Sequence, residues 1–165
     1  MTKGLLVRAC FAIVMRHCTL CVVRKEDKIL LGMKKKGFGA GRYNGFGGKV
    51  EPGESYEAAA VRELREEASL HAVTTKKHAV LTFKFPHKPE WDQVVHVFVT
   101  DNWTGTPTES DEMKPEWFQI DKLPYAQMWA DDPYWIPAVL AGKFVTATFV
   151  FSPDEKILEK NVSVE

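Results

Sequence analysis

The sequence predicts an α/β (α+β) fold in which a mixed β-sheet lies between helices. Short apolar runs rich in β-branched residues recur along the chain at strand length. Residues 55–68 have helical periodicity, and residues 124–140 form a second segment of helical length. Strands mixed with two helices bury their apolar faces when the helices pack against a common sheet.

The individual elements follow from local patterns. Residues 26–28 and 152–155 are polar and predict hairpin turns between the strands that flank them. Pro133 and Pro137 are expected to interrupt the second helical segment. The predicted strands are residues 19–23, 28–33, 71–75, 80–85, 94–100, 116–120, 144–151 and 156–159.

Length and charge restrict the class of protein. A chain of 165 residues fits one domain, which we place at 19–165 after an N-terminal extension, 1–18. The 22 basic and 22 acidic residues give a net charge of zero, so no overall basic field favours a nucleic-acid polymer. No apolar run reaches the roughly 18 residues of a membrane span. We expect a monomer that acts on a small molecule.

The N-terminal region carries the cysteines and a charge bias. Three cysteines do not make a disulfide framework and favour a reducing, cytoplasmic setting. Cys18 and Cys21 have metal or redox spacing, but they lie in a strand-like run and no second ligand pair follows. Glu26 is the first acid of the chain, a faint transit-peptide signal. A plain extension is favoured over mitochondrial import; a mitochondrial or nuclear fraction stays the alternative.

The acidic helix at 55–68 is the strongest functional signal. Glu63, Glu66 and Glu67 fall within about 100° of arc, and the apolar side is formed by Val61, Leu64 and Ala68. Clustered carboxylates suit a hard cation such as Mg²⁺. The alternative is a solvated face with Arg62–Glu66 pairing. A glycine-rich loop, 44–54, precedes the helix and favours phosphate chemistry, because glycines let backbone approach a phosphate.

The stretch from Gly48 to Leu70 resembles the Nudix box, the signature of hydrolases that cleave nucleoside diphosphates linked to another group. Ser69 departs from the pattern, since the family has glycine there to close the helix. The resemblance implies an αβα sandwich and a divalent-metal site. The matching positions are Gly48, Glu54, Arg62, Glu63, Leu64, Glu66, Glu67 and Leu70.

A narrower resemblance covers nearly all of residues 19–165 and is carried by residues 30–54 and 96–137, including the runs ESDEM and MWADD. These are similar to the eukaryotic MutT-homologue branch, whose members hydrolyse 8-oxo-dGTP and 2-hydroxy-dATP. It implies hydrolysis to a nucleoside monophosphate and pyrophosphate with Mg²⁺, for which Mn²⁺ substitutes.

The resemblance also assigns roles to the acidic residues. Glu67 is the first choice for general base, although a role mainly as metal ligand stays open. Arg62 is expected to orient Glu66. Glu112 joins the metal ligands or is simply an exposed loop acid. The implied metal-binding residues are Gly47, Glu63, Glu66, Glu67 and Glu112.

A purine slot is expected around Asp131 and Asp132, flanked by Trp129 and Trp135. Two adjacent carboxylates beside apolar surface cannot both ionise easily, so the pKa of one should rise. A protonated acid donates a hydrogen bond and an ionised one accepts, which offers a way to recognise two unlike purines. The alternative role is helix capping. The implied substrate-binding residues are Thr19, Lys34, Phe38, Asn44, Phe46, Gly47, Gly48, Lys49, Phe83, Met113, Trp129, Ala130, Asp131, Asp132 and Trp135.

Two departures and two rival functions remain. Tyr43 stands where the branch commonly has Trp, and one extra residue lies between Phe83 and His96.

The first rival is a Nudix enzyme acting on ADP-ribose or a dinucleoside polyphosphate, which the ESDEM and MWADD runs oppose. The second is a non-catalytic nucleotide-binding module, which the complete set of box carboxylates opposes.

Overall fold

The computed structural model describes residues 14–165. Most of the expected extension, 1–18, and with it the import hypothesis, lies outside the described residues. The predicted α/β class is confirmed, and the described residues form an eight-stranded mixed sheet and two α-helices. The elements are β1 Arg16–Lys25, β2 Lys28–Lys34, β3 Tyr43–Asn44, α1 Tyr56–Ala68, β4 Leu70–Lys84, β5 Gln93–Gly105, β6 Met113–Gln119, α2 Asp132–Leu140, β7 Val145–Phe151 and β8 Ile157–Val164.

The sheet has the strand order β3-β2-β1-β5-β4-β7-β8, and β6 pairs with β2. The pairs β1–β5 and β4–β7 are parallel and the others are antiparallel. β2 pairs with β1 only beside the hairpin turn, at Val23–Lys25. The remaining edge of β1 is therefore free to bond to the glycine-rich loop. Thr19 donates to the Gly48 carbonyl at 2.8 Å, and Cys21 donates to the Phe46 carbonyl at 2.6 Å.

The two helices lie on opposite faces of this sheet. On one face α1 buries Ala60, Leu64 and Ala68 against strand residues that include Cys21 and Phe98. On the other face α2 buries an apolar set against Leu81, Val97 and Phe149, and its members are Trp135, Ile136, Val139 and Leu140. Within 14–165, neither helix is long and apolar enough to cross a membrane.

The strands predicted at 71–75 and 80–85 are one continuous strand, β4. Its pairing with β5 is irregular near Ala72, Thr74, Lys76 and Lys77. A β-bulge changes which face the following residues occupy, so it interrupts the alternation of apolar residues without ending the strand. The prediction of two strands was therefore wrong at this point.

The helix predicted over 124–140 is α-helical only from Asp132, after a 3₁₀ turn at Tyr125–Gln127. Pro133 occupies the first turn of α2, where its missing N–H leaves no helical hydrogen bond unmade. It begins the helix rather than breaking it. Pro137 lies inside the helix.

β1 begins at Arg16, three residues before the predicted strand and inside the segment expected to be an extension. Cys18 and Cys21 are both buried in this strand with free thiols. Side chains three apart on a strand point to opposite faces. The C-x-x-C spacing thus gives no shared site, as the strand interpretation predicted.

Ser69 ends α1 in the left-handed conformation, with φ 58° and ψ 27°. Its N–H donates to the Arg65 carbonyl at 3.0 Å, so the helix closes as it would with glycine. A non-glycine residue costs roughly 1 kcal/mol in this conformation. We expect Ser69→Gly to raise the free energy of unfolding by about 0.5–1 kcal/mol in urea denaturation. Ser69→Ala keeps the strain, and a similar gain for that variant would contradict this account.

Candidate active site

The acids of α1 differ in exposure. The Glu66 side chain is 58% exposed and that of Glu63 14%. Glu67 retains 3% of its surface, and Val61, expected on the apolar side, is only partly buried. The buried face of α1 therefore overlaps the acidic side instead of lying opposite to it, because the glycine-rich loop packs there.

Gly47 and Gly48 make this packing possible. A Cβ on Gly47 would lie 1.8 Å from the Thr19 carbonyl oxygen, and one on Gly48 would lie 2.5 Å from Glu63 Oε1. The Gly47 N–H donates to Glu67 Oε2 at 3.0 Å. The loop is held between β1 and α1 at a separation that only glycine permits, and it fixes Glu67.

Arg62 contacts Glu66, as expected, and it also contacts three other residues. Its guanidinium donates to both oxygens of Glu54, at 2.8 and 3.0 Å, to Glu63 at 2.9 Å and to Glu66 at 3.3 Å. It also donates to the Lys49 carbonyl at 3.0 Å. The bidentate contact with Glu54 is the stronger geometry. Arg62 thus joins the start of the helix to the glycine-rich loop, besides contacting Glu66.

An acidic cavity opens beside α1. Six carboxylates line it together with four cations. Lys34 Nζ lies 3.7 Å from Glu112 Oε2, which brings the ESDEM loop to the α1 acids. The lining residues are Lys34, Lys36, Gly47, Gly48, Lys49, Glu51, Arg62, Glu63, Glu66, Glu67, Ser110, Asp111 and Glu112. Every residue assigned above to a metal borders this cavity.

The donor chemistry of the acidic cavity fits a hard divalent cation, because oxygen ligands predominate. Among residues 14–165, no three His, Cys, Asp or Glu side chains converge on one point. Arg62 instead holds Glu63 and Glu66. Mg²⁺ usually keeps several waters and is held by few carboxylates plus substrate phosphates. A complete protein cage is therefore not required here.

Burial perturbs two of the acids. Desolvation raises the pKa of Glu67 to about 8, against the opposing effects of the Gly47 N–H and Lys34. Desolvation also raises the pKa of Glu63, although Arg62 partly offsets it. Burial thus brings the pKa of Glu67 into the range near neutral pH in which carboxyl groups act in acid–base catalysis.

A second cavity, of about 330 Å³, lies next to the first on the α2 face of the sheet. The two cavities share Lys34, Gly47, Gly48 and Lys49. We call the second cavity the base cavity, because it is lined by most of the residues that are expected to contact a purine base. These residues are Thr19, Lys34, Phe38, Asn44, Gly47, Gly48, Lys49, Phe83, Met113, Trp129, Asp131, Asp132 and Trp135.

Two implied residues lie elsewhere. Phe46 is fully buried in the core between the sheet and α1, because its backbone pairs with Cys21. Ala130 is exposed and lines neither cavity. The structure therefore does not support Phe46 or Ala130 as direct contacts to a base.

Asp131 and Asp132 are each 3% exposed. The Trp135 indole N–H donates to Asp131 at 2.9 Å, and the Trp129 backbone N–H donates to Asp132 at 3.1 Å. Burial raises the pKa of Asp131 to about 6. Burial and then the Asp131 charge raise the pKa of Asp132 well above its ordinary value. The Asp131 side chain makes no capping bond to α2, so capping by its carboxylate does not explain this residue.

The cavity also contains an unsatisfied hydroxyl. Thr19 is 2% exposed, and its Oγ1 has no hydrogen-bond partner within the described part of the chain. Asn44 accepts from the Gly45 N–H through Oδ1 at 2.9 Å, and its amide hydrogens stay available to a ligand. A buried polar group without a partner costs about 1–3 kcal/mol, which a polar ligand would recover.

An aromatic wall, formed by Phe38, Phe85, Trp91 and Trp129, closes one side. Phe38 stacks on Trp129 with 5.1 Å between ring centroids, and its ring meets Trp91 at an angle, also at 5.1 Å. Phe85 and Trp91 were missed from the sequence. Other missed lining residues are Arg16, Cys18, Leu20, Gly45, Leu81, Gln93, Val95 and Phe151. Side chains alternate between the two faces of β4 and β5, and this alternation could have identified Leu81, Gln93 and Val95 as lining residues. It could do so only if the register between the two strands were known.

The two departures from the MutT-homologue pattern, Tyr43 and the extra residue between Phe83 and His96, lie in different parts of the structure. The Tyr43 ring packs on Phe118 at 4.8 Å and its hydroxyl donates to Glu116 at 2.8 Å, so it contacts β6 and not the base cavity. The segment with the extra residue does reach the cavity, through Trp91. It is held by the Phe85 N–H, which donates to Asp92 Oδ1 at 2.7 Å.

A model of the NUDIX domain matches residues 15–139. The chain belongs to the Nudix family. Among curated relatives of this Nudix protein, "oxidized purine nucleoside triphosphate hydrolase" of Mus musculus is 49% identical over 143 residues, covering 87% of this chain and 91% of the relative. The Danio rerio protein of the same name is 50% identical over 141 residues, covering 86% and 90%.

Solved structures agree with the Nudix assignment. The crystal structure of a MutT protein from Bacillus halodurans superposes with a TM-score of 0.81 at 25% identity and covers 90% of this chain and 98% of that one. The solution structure of the E. coli ORF135 protein has a TM-score of 0.64 at 26% identity and covers 77% and 89%. The expected Nudix sandwich is confirmed, and the protein is a Nudix hydrolase.

Proposed function

We propose that this Nudix protein hydrolyses oxidised purine nucleoside triphosphates, such as 8-oxo-dGTP and 2-hydroxy-dATP, to the nucleoside monophosphate and pyrophosphate. The reaction would remove damaged precursors from the nucleotide pool and so prevent DNA damage. The names of the mouse and zebrafish relatives support this substrate class. The observation that carries the proposal is the junction of two cavities, one apolar with two carboxyl groups and one rich in acids and cations.

The base cavity would bind the purine between Trp129 and the sheet. Burial raises the pKa of both carboxyl groups, and two adjacent buried acids do not both ionise easily, so a pair that holds one proton would offer one acceptor and one donor. A proton moved within the pair would exchange these roles and suit the second oxidised purine. Thr19 and Asn44 offer further polar contacts.

The phosphates would pass over Gly47 and Gly48 into the acidic cavity, where Glu63, Glu66, Glu67 and Glu112 would hold Mg²⁺, or Mn²⁺ in its place. The metal, when bound, neutralises charge on the phosphate oxygens and acidifies water. Glu67 would take the proton of the attacking water, unless it acts mainly as a metal ligand. A new P–O bond then forms, and the bridge between the α- and β-phosphates breaks.

The direct test is hydrolysis of 8-oxo-dGTP, 2-hydroxy-dATP, dGTP and dATP side by side with Mg²⁺, with ADP-ribose followed by chromatography of its products. We expect strong preference for the oxidised purines and release of pyrophosphate. Activity only on ADP-ribose would retain the metal site and refute the base-recognition role of Asp131 and Asp132. Binding of nucleotides without turnover would favour the non-catalytic alternative.

Asp131→Asn should separate base recognition from phosphate cleavage. The amide still accepts from Trp135 but cannot exchange a proton with Asp132, so we expect the preference for oxidised over normal purines to fall about 10- to 100-fold. The kcat/KM on dGTP should change far less. Equal losses on all four triphosphates would contradict this division.

The same pair predicts a pH dependence. Burial raises the pKa of Asp131 to about 6, so acidification past that value should protonate its carboxylate and remove the acceptor. Preference of the wild-type protein for 8-oxo-dGTP over dGTP should fall from about pH 7 to about pH 5, and Asp131→Asn should lack this step.

We further propose a monomer in the cytoplasm, with no nucleic-acid polymer or membrane as partner. Sedimentation tests the oligomeric state. A reporter fused to residues 1–25 tests import, and a fusion found in mitochondria would contradict the cytoplasmic location.

A further inference from the structure

Lys34, the last residue of β2, and the two lysines that follow it have three different environments. Lys34 borders both cavities and approaches Glu112. Lys35 donates to Glu109 at 2.8 Å and to the Ser110 carbonyl at 2.9 Å. Lys36 lines the acidic cavity and makes no hydrogen bond or ion pair with any residue of 14–165. A run that looks uniform in sequence therefore contains one uncommitted ammonium group beside the acids.

The other cations of the acidic cavity are largely neutralised. Arg62 binds Glu54, Glu63 and Glu66. Lys34 lies near Glu112. Of the four cations that line this cavity, only Lys36 and Lys49 have no ion-pair partner within residues 14–165. A polyphosphate entering a cavity with more acids than cations needs positive charge that is not already paired.

The two lysines without an ion-pair partner in the cavity, Lys36 and Lys49, lie at different distances from the base cavity. Lys49 borders both cavities, so it lies at their junction. Lys36 borders only the acidic cavity, beyond the junction. A nucleotide with its base in the base cavity would bring its first phosphates to Lys49 and its last phosphate to Lys36.

The backbone at Lys36 is held in place. The Lys34 N–H donates to the Arg42 carbonyl at 2.9 Å, and the Lys35 N–H donates to the Glu112 carbonyl at 2.8 Å. Gly37 then turns the chain with φ 76°. The start of the Lys36 side chain is thus fixed next to the Glu112 loop, while its ammonium group stays available.

We propose that Lys36 binds the terminal phosphate of a nucleoside triphosphate and makes the site select triphosphates over diphosphates; this rests on the proposed function. A lysine offers three donors and a full charge to the non-bridging oxygens of that phosphate. A diphosphate ends before it reaches Lys36 and loses nothing when Lys36 is replaced. Lys36 is therefore a specificity-determining residue and not part of the cleavage step.

The test is calorimetric binding of hydrolysis-resistant α,β-methylene analogues of 8-oxo-dGTP and 8-oxo-dGDP in Mg²⁺. Lys36→Gln should weaken binding of the triphosphate analogue about tenfold or more, and that of the diphosphate analogue less than about twofold. Lys36→Arg keeps the charge and should retain most of the preference. Lys28→Gln is the matched control, since Lys28 lies at the other end of β2 and borders neither cavity.

Equal weakening of both analogues, or no weakening by Lys36→Gln, would overturn the proposal. A like effect of Lys28→Gln would also overturn it, because net charge alone would then be responsible. If the wild-type protein binds neither analogue, the proposed function fails. Inorganic tripolyphosphate compared with pyrophosphate then tests Lys36 alone, and an unchanged preference in Lys36→Gln would count against it.

Discussion

Glu67→Gln is expected to remove most turnover and, at the same time, to stabilise the metal-free protein at neutral pH. Loss of a general base typically costs about 10²- to 10⁴-fold in rate. Gln keeps an oxygen that can accept from the Gly47 N–H, so the loop contact at 3.0 Å need not be lost. A variant that is less active and more stable is what a functional, unfavourably buried carboxyl group predicts.

The stabilisation has a defined pH window. The pKa of Glu67 is about 8 in the folded protein and near the ordinary 4.5 when unfolded. Between these values the unfolded chain releases the proton while the folded protein retains it, so stability falls as pH rises. Glutamine does not ionise, so the Glu67→Gln variant does not lose this stability as the pH rises. One pKa unit corresponds to about 1.4 kcal/mol, and we expect a gain on the order of 2 kcal/mol at pH 7.

Urea denaturation of metal-free protein from about pH 5 to about pH 8 measures this difference, and Mg²⁺-dependent turnover measures the loss of rate. Glu66→Gln is the stability control, because that side chain is 58% exposed. The advantage of Glu67→Gln over wild type should widen with pH, whereas Glu66→Gln should show little change. A constant difference across the range, or turnover within tenfold of wild type, would refute the role given to Glu67.

The sequence predicted α1 and its acids well, because helical periodicity is a local property. Ser55, the first residue of the predicted helix, is its N-cap and accepts from the Ala58 N–H at 3.1 Å. The burial of Glu67 could not be predicted in this way. It depends on the glycine-rich loop, which bonds to β1 at Thr19 and Cys21 and covers the acidic side of the helix.

The floor of the base cavity shows the same limit. Cys18, Val95 and Leu81 come from three strands and lie side by side only because β1 pairs with β5 and β5 with β4. Periodicity finds a strand but not its partner or its register. Trp91 escaped prediction for another reason, since it lies in an irregular segment whose position depends on the bond between Phe85 and Asp92.

Gly47→Ala is expected to be the most damaging single-methyl change in the site. The added Cβ would lie 1.8 Å from the Thr19 carbonyl oxygen, 2.6 Å from its carbon and 2.9 Å from Leu20 Cα. These are backbone atoms of a central strand, so they cannot move aside as a flexible side chain would. The loop must leave β1, and the Gly47 N–H must leave Glu67.

We therefore expect Gly47→Ala to lower the free energy of unfolding by about 3 kcal/mol or more and to abolish turnover in any folded fraction. Gly142→Ala is the control: its φ is 81°, and nothing lies within 4 Å of the added Cβ. Backbone strain alone should then cost about 1 kcal/mol. Thermal and urea unfolding of both variants separate steric exclusion from strain. Equal losses at the two glycines would mean that the loop can withdraw from β1 at little cost, and close approach would no longer explain why glycine stands at position 47.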